Sequence, residues 1–222
     1  MKYSTGDSKI QKEMIHFNEF ELNKINDKLR NKSPEEVIAW TLSMSENRIV
    51  TTSFGVYSAV LLNTFHELDK DIKVIWCDTG YNTPETYRHA IYLREVLELN
   101  IHLYAPLQTT AYTDAVLGIP DVDDPDHALF TEIVKLEPFR RAIKEHRPDI
   151  WFTNIRVRQT EYRNSKDILS YSKDGILKVS PFYYWNDDQL DQYLIENNLP
   201  KNESYFDPTK ALKHRECGIH LQ

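Results

Sequence analysis

From Ile49 onward the chain alternates short apolar runs with longer stretches whose apolar residues recur at helical spacing. Few folds accommodate that rhythm. "RIVTTS" precedes the helical "FGVYSAVLLNTFHEL", and "IKVIWCD" precedes "TPETYRHAIYLREVLEL". "NIHLYAP" is a third run, followed by the helical stripe of "TEIVKLEPFRRAIKEH", which Pro138 is expected to bend. "DIWFTNI" and "ILKVSPF" read as further strands, and "NDDQLDQYLIENN" as a helix opened by Asn186. Strands joined through helices run parallel, and apolar runs without alternation are covered on both faces. The expected fold class is α/β: a doubly wound, mostly parallel sheet with helices on both faces and a flexible C-terminal tail.

Residues 1–32 form an N-terminal helical segment in this reading, with Ile15, Phe17, Phe20, Leu22, Ile25 and Leu29 spaced as a peripheral amphipathic helix. Ser33, Pro34, Glu35 and Glu36 read as an N-cap, a proline at the first helical position and acids in the first turn. Residues 33–200 are expected to be the α/β nucleotide-binding domain and 201–222 a C-terminal tail. "GIPDVDDPDHAL" is expected to be a loop.

A chain of 222 residues builds one large core or two small ones. The net charge of −7 gives no general basic field, so no nucleic-acid partner is expected, though a local basic pocket for a small anion remains open. Two cysteines cannot ligate an iron–sulfur cluster or build a four-thiolate zinc site, and no metal is expected. The polar start "MKYSTGDSKIQKEMIHF" does not read as a secretory signal, and no apolar stretch reaches membrane-spanning length. A cytoplasmic location is the expectation.

Ligands of open parallel sheets bind beyond the carboxyl ends of the strands. Three such ends are chemically loaded. After the first strand come Ser53, Phe54 and Gly55, with Ser58 at the start of a helix. A glycine there lets backbone N–H groups approach an anion at a helix N-terminus. Alone, this reads equally as a tight turn with a helix cap. After the second strand come Asp78, Thr79 and Gly80, which either touch a nucleoside or only begin the next helix. After the fourth come Arg156, Arg158, Gln159 and Arg163, forks suited to phosphate or sulfate oxygens, or simply a solvated basic loop. Three polar ends on one sheet edge favour a nucleotide site.

Of the two cysteines, Cys77 lies in the apolar "VIWC" and reads as core. Cys217 lies in "KHRECGIHLQ", where Arg215, His214 and His220 could supply cations that favour the reactive thiolate while Glu216 acts in the opposite sense; by composition alone it reads first as an exposed thiol.

In this order, "TTSFGVYSAVLL", "DTGYNTPETYR", "IRVRQTEYR", "KVSPFYYW" and above all "RECGIH" resemble the phosphoadenosine phosphosulfate (PAPS) reductase family. The likeness runs from about Ile49 to the C-terminus. It implies an adenine nucleotide α-hydrolase-like fold and reduction of PAPS to sulfite and adenosine 3′,5′-bisphosphate in sulfate assimilation. By the same resemblance Cys217 is the nucleophile of the catalytic tail and is left as an S-sulfocysteine, from which reduced thioredoxin or glutaredoxin releases sulfite. Ser53, Phe54, Gly55 and Ser58 would line the phosphate and ribose region, and Asp78, Thr79 and Gly80 the adenosine. Arg156, Arg158, Gln159 and Arg163 would hold anionic groups, and Arg215 and His220 would bind substrate as the tail closes. The family also implies a homodimer and, in its cluster-free branch, no iron–sulfur group.

The chain departs from that pattern in two places. Asn154 and Val157 stand where the family carries glycine and a second arginine, and the segment before "RECGIH" is short. Two further readings are a cluster-free adenosine phosphosulfate (APS) reductase and an adenylating ATP pyrophosphatase using the "SFG" loop. A non-catalytic nucleotide binder is a third.

Overall fold

A computed structural model of the protein describes residues 15–210, 216 and 218–221. A six-stranded sheet runs in the order β3-β2-β1-β4-β6-β5. Its strands are β1 (Arg48–Thr52), β2 (Lys73–Cys77), β3 (Ile101–Tyr104), β4 (Ile150–Phe152), β5 (Leu169–Tyr171) and β6 (Leu177–Val179). All pair in parallel except β5, which runs antiparallel to β6 at one edge. The expected runs supply β1 to β4 and β6. The edge strand β5 is an addition, too short for its pattern to stand out from the turn that contains Gly175.

Each helix starts where its first residues can satisfy the free N–H groups. In α1 (Glu19–Leu29) and α2 (Pro34–Leu42) the caps are Asn18 with Glu21 and Ser33 with Glu36, each pair exchanging backbone N–H donors. Asn186 and Gln189 do the same for α9 (Asp187–Glu196). Between them lie α3 (Ser58–Leu68), α4 (Pro84–Val96), α5 (Thr110–Val116), α6 (His127–Thr131), α7 (Glu137–His146) and α8 (Glu161–Asn164). The bend expected at Pro138 takes the form of a π-helical turn, Glu132–Leu136, between α6 and α7. Proline lacks an N–H and its ring crowds the carbonyl four residues back, so a widened turn precedes it.

Strand alternation divides the core. Val50, Val74, Ile150 and Phe152 face the larger cluster, with side chains from α1, α2, α3, α4 and α9. Ile49, Ile75 and Trp151 face the smaller one, with Phe139 and Ala142 of α7 and Ile219 near the C-terminus. Helices therefore cover both faces, as a doubly wound sheet requires.

Two expected boundaries fall inside packed regions. Asn26 of α1 is buried, accepting from Leu169 N–H at 2.8 Å and donating to Leu169 C=O at 3.0 Å, so the N-terminal helix is built onto β5. Beyond residue 200, Asn202 is buried and donates to Phe54 C=O at 2.8 Å, and Thr209 is buried too. Residues 201–210 thus pack with the body of the fold. Among the described residues no helix is long and apolar enough to cross a membrane.

Candidate active site

The strand order reverses direction between β1 and β4, which are adjacent in the sheet and far apart in sequence. A crevice opens outside their carboxyl ends in folds of this kind. The "SFG" turn follows β1 and the arginine segment follows β4, so the topology brings these two predicted groups together.

At the β1 end, Phe54 adopts a left-handed φ of 50° and its side chain is fully buried, edge-on to Trp76 at 4.9 Å. Its predicted ligand role is therefore limited to the backbone. Gly55 leaves room for Tyr205, whose ring would lie 3.5 Å from any Cβ placed there. Ser58 is buried at the first position of α3, 3.3 Å from His89 Nε2. No side chain caps α3; the Ser58 and Val60 N–H groups donate instead to the carbonyls of Gly55 and Tyr57, at 3.0 and 3.3 Å.

At the β2 end, Asp78 is engaged in shaping its own turn. Its Oδ1 accepts from Gly80 N–H, Asn82 and the Tyr87 hydroxyl at 3.0, 2.8 and 2.9 Å. Burial, then this carboxylate, push the Tyr87 hydroxyl up to about 12. Gly80 has φ +79° and lies against Thr110, whose Oγ1 would be 3.0 Å from an added Cβ. Thr79 is buried and accepts from Tyr81 N–H. Asp78–Gly80 thus form a hydrogen-bonded turn after β2.

The arginine segment is the most organised part. Arg156 pairs with Asp187 at the start of α9 and lies over the Tyr57 ring at 5.0 Å. Gln159 Oε1 accepts from Arg156 N–H at 2.8 Å and from Arg163 Nη1. Arg163 is buried on α8 and grips Glu216, with Nε 2.7 Å from Oε1 and Nη2 3.0 Å from Oε2. Thr160 also donates to Glu216. Arg158 is exposed with φ +67°, its N–H donating to Asn164 at 2.6 Å. It lines a cleft of about 540 Å³ with Gln159, Thr160, Glu161, Tyr162, Asn164 and Glu216.

Cys217 and Arg215 lie outside the described residues. Their neighbours are placed: Glu216 on Arg163, and Gly218 with φ +88° against Leu136. His220 stacks on Trp151 with ring centroids 5.7 Å apart and planes 12° from parallel. Its Nδ1 is shielded from solvent and has no hydrogen-bond partner among the described residues. Burial, then the charges of Arg163, Lys178, Lys135 and Lys210, hold its pKa well below the usual histidine range. The imidazole is neutral there.

Two cations escaped the sequence reading. Lys135, in the π-turn, forms an ion pair with Asp207, and both side chains are closed to solvent. Lys178, in the middle of β6, is buried with its ammonium 4.6 Å from the Trp151 ring centre. The only sequence signal was a lysine inside each of two apolar stretches, "EIVKLEPF" and "ILKVSPF". Among the described residues no three histidine, cysteine or acidic side chains gather as a metal site would.

The arrangement gathers several arginine and lysine side chains near the β1/β4 carboxyl ends, with Glu216 and residues 218–221 packed against them. The sequence pattern of the phosphoadenosine phosphosulfate reductase domain matches residues 47–209. The chain belongs to the PAPS reductase family. The phosphoadenosine 5′-phosphosulfate reductase of Buchnera aphidicola is 32% identical, over 90% of this chain and 91% of its own length. A crystal structure of phosphoadenylyl-sulfate reductase from Candida auris, in a phosphate complex, superposes with a TM-score of 0.74 at 25% identity. That match covers 86% of this chain and 92% of that one. FMN adenylyltransferase from Candida glabrata, in complex with ATP, shares the fold alone: TM-score 0.55 at 11% identity, covering 85% of this chain and 61% of that one. The PAPS reductase fold here is thus the adenine nucleotide α-hydrolase type expected from the sequence.

Proposed function

We propose that the protein reduces 3′-phosphoadenylyl sulfate to sulfite and adenosine 3′,5′-bisphosphate as a step of sulfate assimilation. The observation that carries this reading is the docking of Glu216 and 218–221, the residues around Cys217, beside the arginine segment at the β1/β4 crevice. The nucleotide would lie over the "SFG" turn and the start of α3, with its anionic groups toward Arg158, Arg163 and Lys135. The Cys217 thiolate would attack the sulfur, forming an S–S bond as the bond from sulfur to the bridging oxygen breaks. Adenosine 3′,5′-bisphosphate leaves with that electron pair, and an S-sulfocysteine remains. A thiolate of reduced thioredoxin or glutaredoxin then attacks the Cys217 sulfur and expels sulfite. The resulting mixed disulfide is resolved by the partner's second thiol, which leaves the partner oxidised and Cys217 a thiol again. A reducing cytoplasm suits that partner.

His220, stacked on Trp151 and held neutral, would not act as a cation toward the substrate. Arg163 and Lys135 are charged groups fixed before substrate arrives, the condition for stabilising a departing phosphate. Both are partnered by carboxylates in this state, so substrate anions would replace Glu216 or Asp207 as the tail adjusts.

The test is incubation with PAPS and no reductant, followed by mass spectrometry of the C-terminal peptide. A sulfonate adduct on Cys217, absent in Cys217→Ser, is expected. Folded protein that binds adenosine 3′,5′-bisphosphate and yet gives no adduct would overturn the mechanism. Sulfite release from PAPS and APS at equal concentration, with reduced thioredoxin, then assigns the substrate.

A further inference from the structure

The smaller face of the sheet carries a row of side chains in register across three strands: Ile49 of β1, Trp151 of β4 and Lys178 of β6. The neighbours of Lys178 on β6, Leu177 and Val179, turn to the larger core, so the lysine alone of the three faces the C-terminal segment. An apolar residue at this position would bury at no electrostatic cost, whereas an ammonium there must find acceptors. No carboxylate lies within ion-pair distance of it among the described residues. What it has is the indole of Trp151 and one carbonyl, that of His220, at 3.0 Å.

The same carbonyl receives a second donor, the Tyr162 hydroxyl, at 2.6 Å. Two side chains from separate elements, β6 and α8, thus converge on one backbone oxygen three residues after Cys217. The imidazole of that same residue is stacked on Trp151, and Ile219 packs into the smaller core. Glu216, on the other side of Cys217 in sequence, is fixed by Arg163 and Thr160. Lys178 is not among the residues that line the Arg158 cleft; Tyr162 lines it, but the hydroxyl that Tyr162→Phe removes donates to the His220 carbonyl.

We infer that Lys178 is a positioning residue: with Tyr162 it latches the His220 carbonyl, and so sets the C-terminal turn in the place from which Cys217 reacts. The inference rests on the proposed function for what Cys217 attacks, but the latch itself does not. It acts on the tail and not on the nucleotide. Loss of the latch therefore lowers the rate of transfer without lowering nucleotide affinity.

The experiment compares wild type, Lys178→Met and Tyr162→Phe by three measurements. The first is hydrogen exchange of the peptide holding residues 218–221. The second is adenosine 3′,5′-bisphosphate affinity, and the third is the single-turnover rate of S-sulfonation by PAPS. Lys178→Met is expected to raise exchange in that peptide about tenfold and slow S-sulfonation about tenfold, with bisphosphate affinity within about twofold of wild type. Tyr162→Phe, a milder change, is expected to move the same two readouts in the same direction. Exchange and transfer unchanged in both variants would overturn the latch. So would a general rise in exchange across the sheet with bisphosphate affinity lost, which marks a purely structural lysine. Exchange needs no substrate, so a wild type that forms no adduct defeats the proposed reaction while the exchange comparison still decides the latch.

Discussion

Arg163 holds the residue that precedes Cys217: its guanidinium meets both carboxylate oxygens of Glu216, at 2.7 and 3.0 Å. The two side chains are only 10% and 8% exposed, so the pair is screened little by solvent. In this docked state the arginine's charge is committed to the protein's own carboxylate. On the proposed function, a substrate anion and Glu216 would compete for one fork.

That competition gives the first prediction. Glu216→Gln keeps the size of the side chain and removes its charge, so Arg163 is more available to a phosphate. Affinity for adenosine 3′,5′-bisphosphate is expected to rise about fivefold, roughly 1 kcal/mol. Calorimetric titration of both proteins checks this, and equal affinities would count against a ligand role for Arg163.

Docking of the tail should weaken in acid. His220 is neutral when docked because burial, then Arg163, Lys178, Lys135 and Lys210, lower its pKa. A histidine released to water regains a pKa of about 6.5. The undocked state thus binds the extra proton below that pH, and docking loses up to about tenfold per pH unit there. Exchange of residues 218–221, corrected for intrinsic rates, is expected to rise from pH 7 to pH 5 in wild type and to stay flatter in His220→Phe.

Lys178 should make the fold less stable at neutral pH than it need be. Burial, then Lys166, bring its ammonium from 10.5 down to about 8. Between those values the unfolded chain binds more protons than the folded one, so stability rises as pH rises from about 8 to 10.5. The full shift corresponds to about 3 kcal/mol. Lys178→Met is expected to abolish that rise and to match or exceed wild-type stability at pH 7, as replacements of buried charge often do. Urea melts across pH 7 to 10 measure both effects.

Lys135 and Asp207 should show the opposite balance. Burial alone would raise the Asp207 carboxyl, but Lys135 and the Thr209 donors outweigh it and hold it below its usual range. Its contribution is therefore complete above about pH 4 and is lost as pH falls through the lower folded value. Asp207→Asn removes the carboxylate of this buried pair, and a loss of about 3–5 kcal/mol at pH 7 is expected. The variant's stability should also fall less steeply than that of wild type below pH 4.

Local chemistry and periodicity carried the reading where they act alone. The caps at Ser33 and Asn186, the strand-to-helix crossovers and the strand ends bearing Ser53, Asp78 and Arg163 were all visible in the sequence. The missed features depend on contacts between distant residues. Lys135 finds Asp207 across 72 positions, and Lys178 finds His220 across 42. No window of sequence distinguishes such a lysine from one on a solvated face. The burial of the Phe54 ring was hidden for a different reason: it goes with the left-handed backbone of its turn, which its neighbours in sequence do not reveal.

The two bonds between the Asn26 amide and Leu169 have a consequence for how copies of this chain meet. β5 is the sheet's last strand on that side, and Leu169 offers both an N–H and a C=O outward. An asparagine side chain presents the same donor and acceptor as a peptide unit, so α1 occupies the place where a foreign strand would add. At Leu169, then, a side chain and not a strand takes up the outward hydrogen bonds of that border.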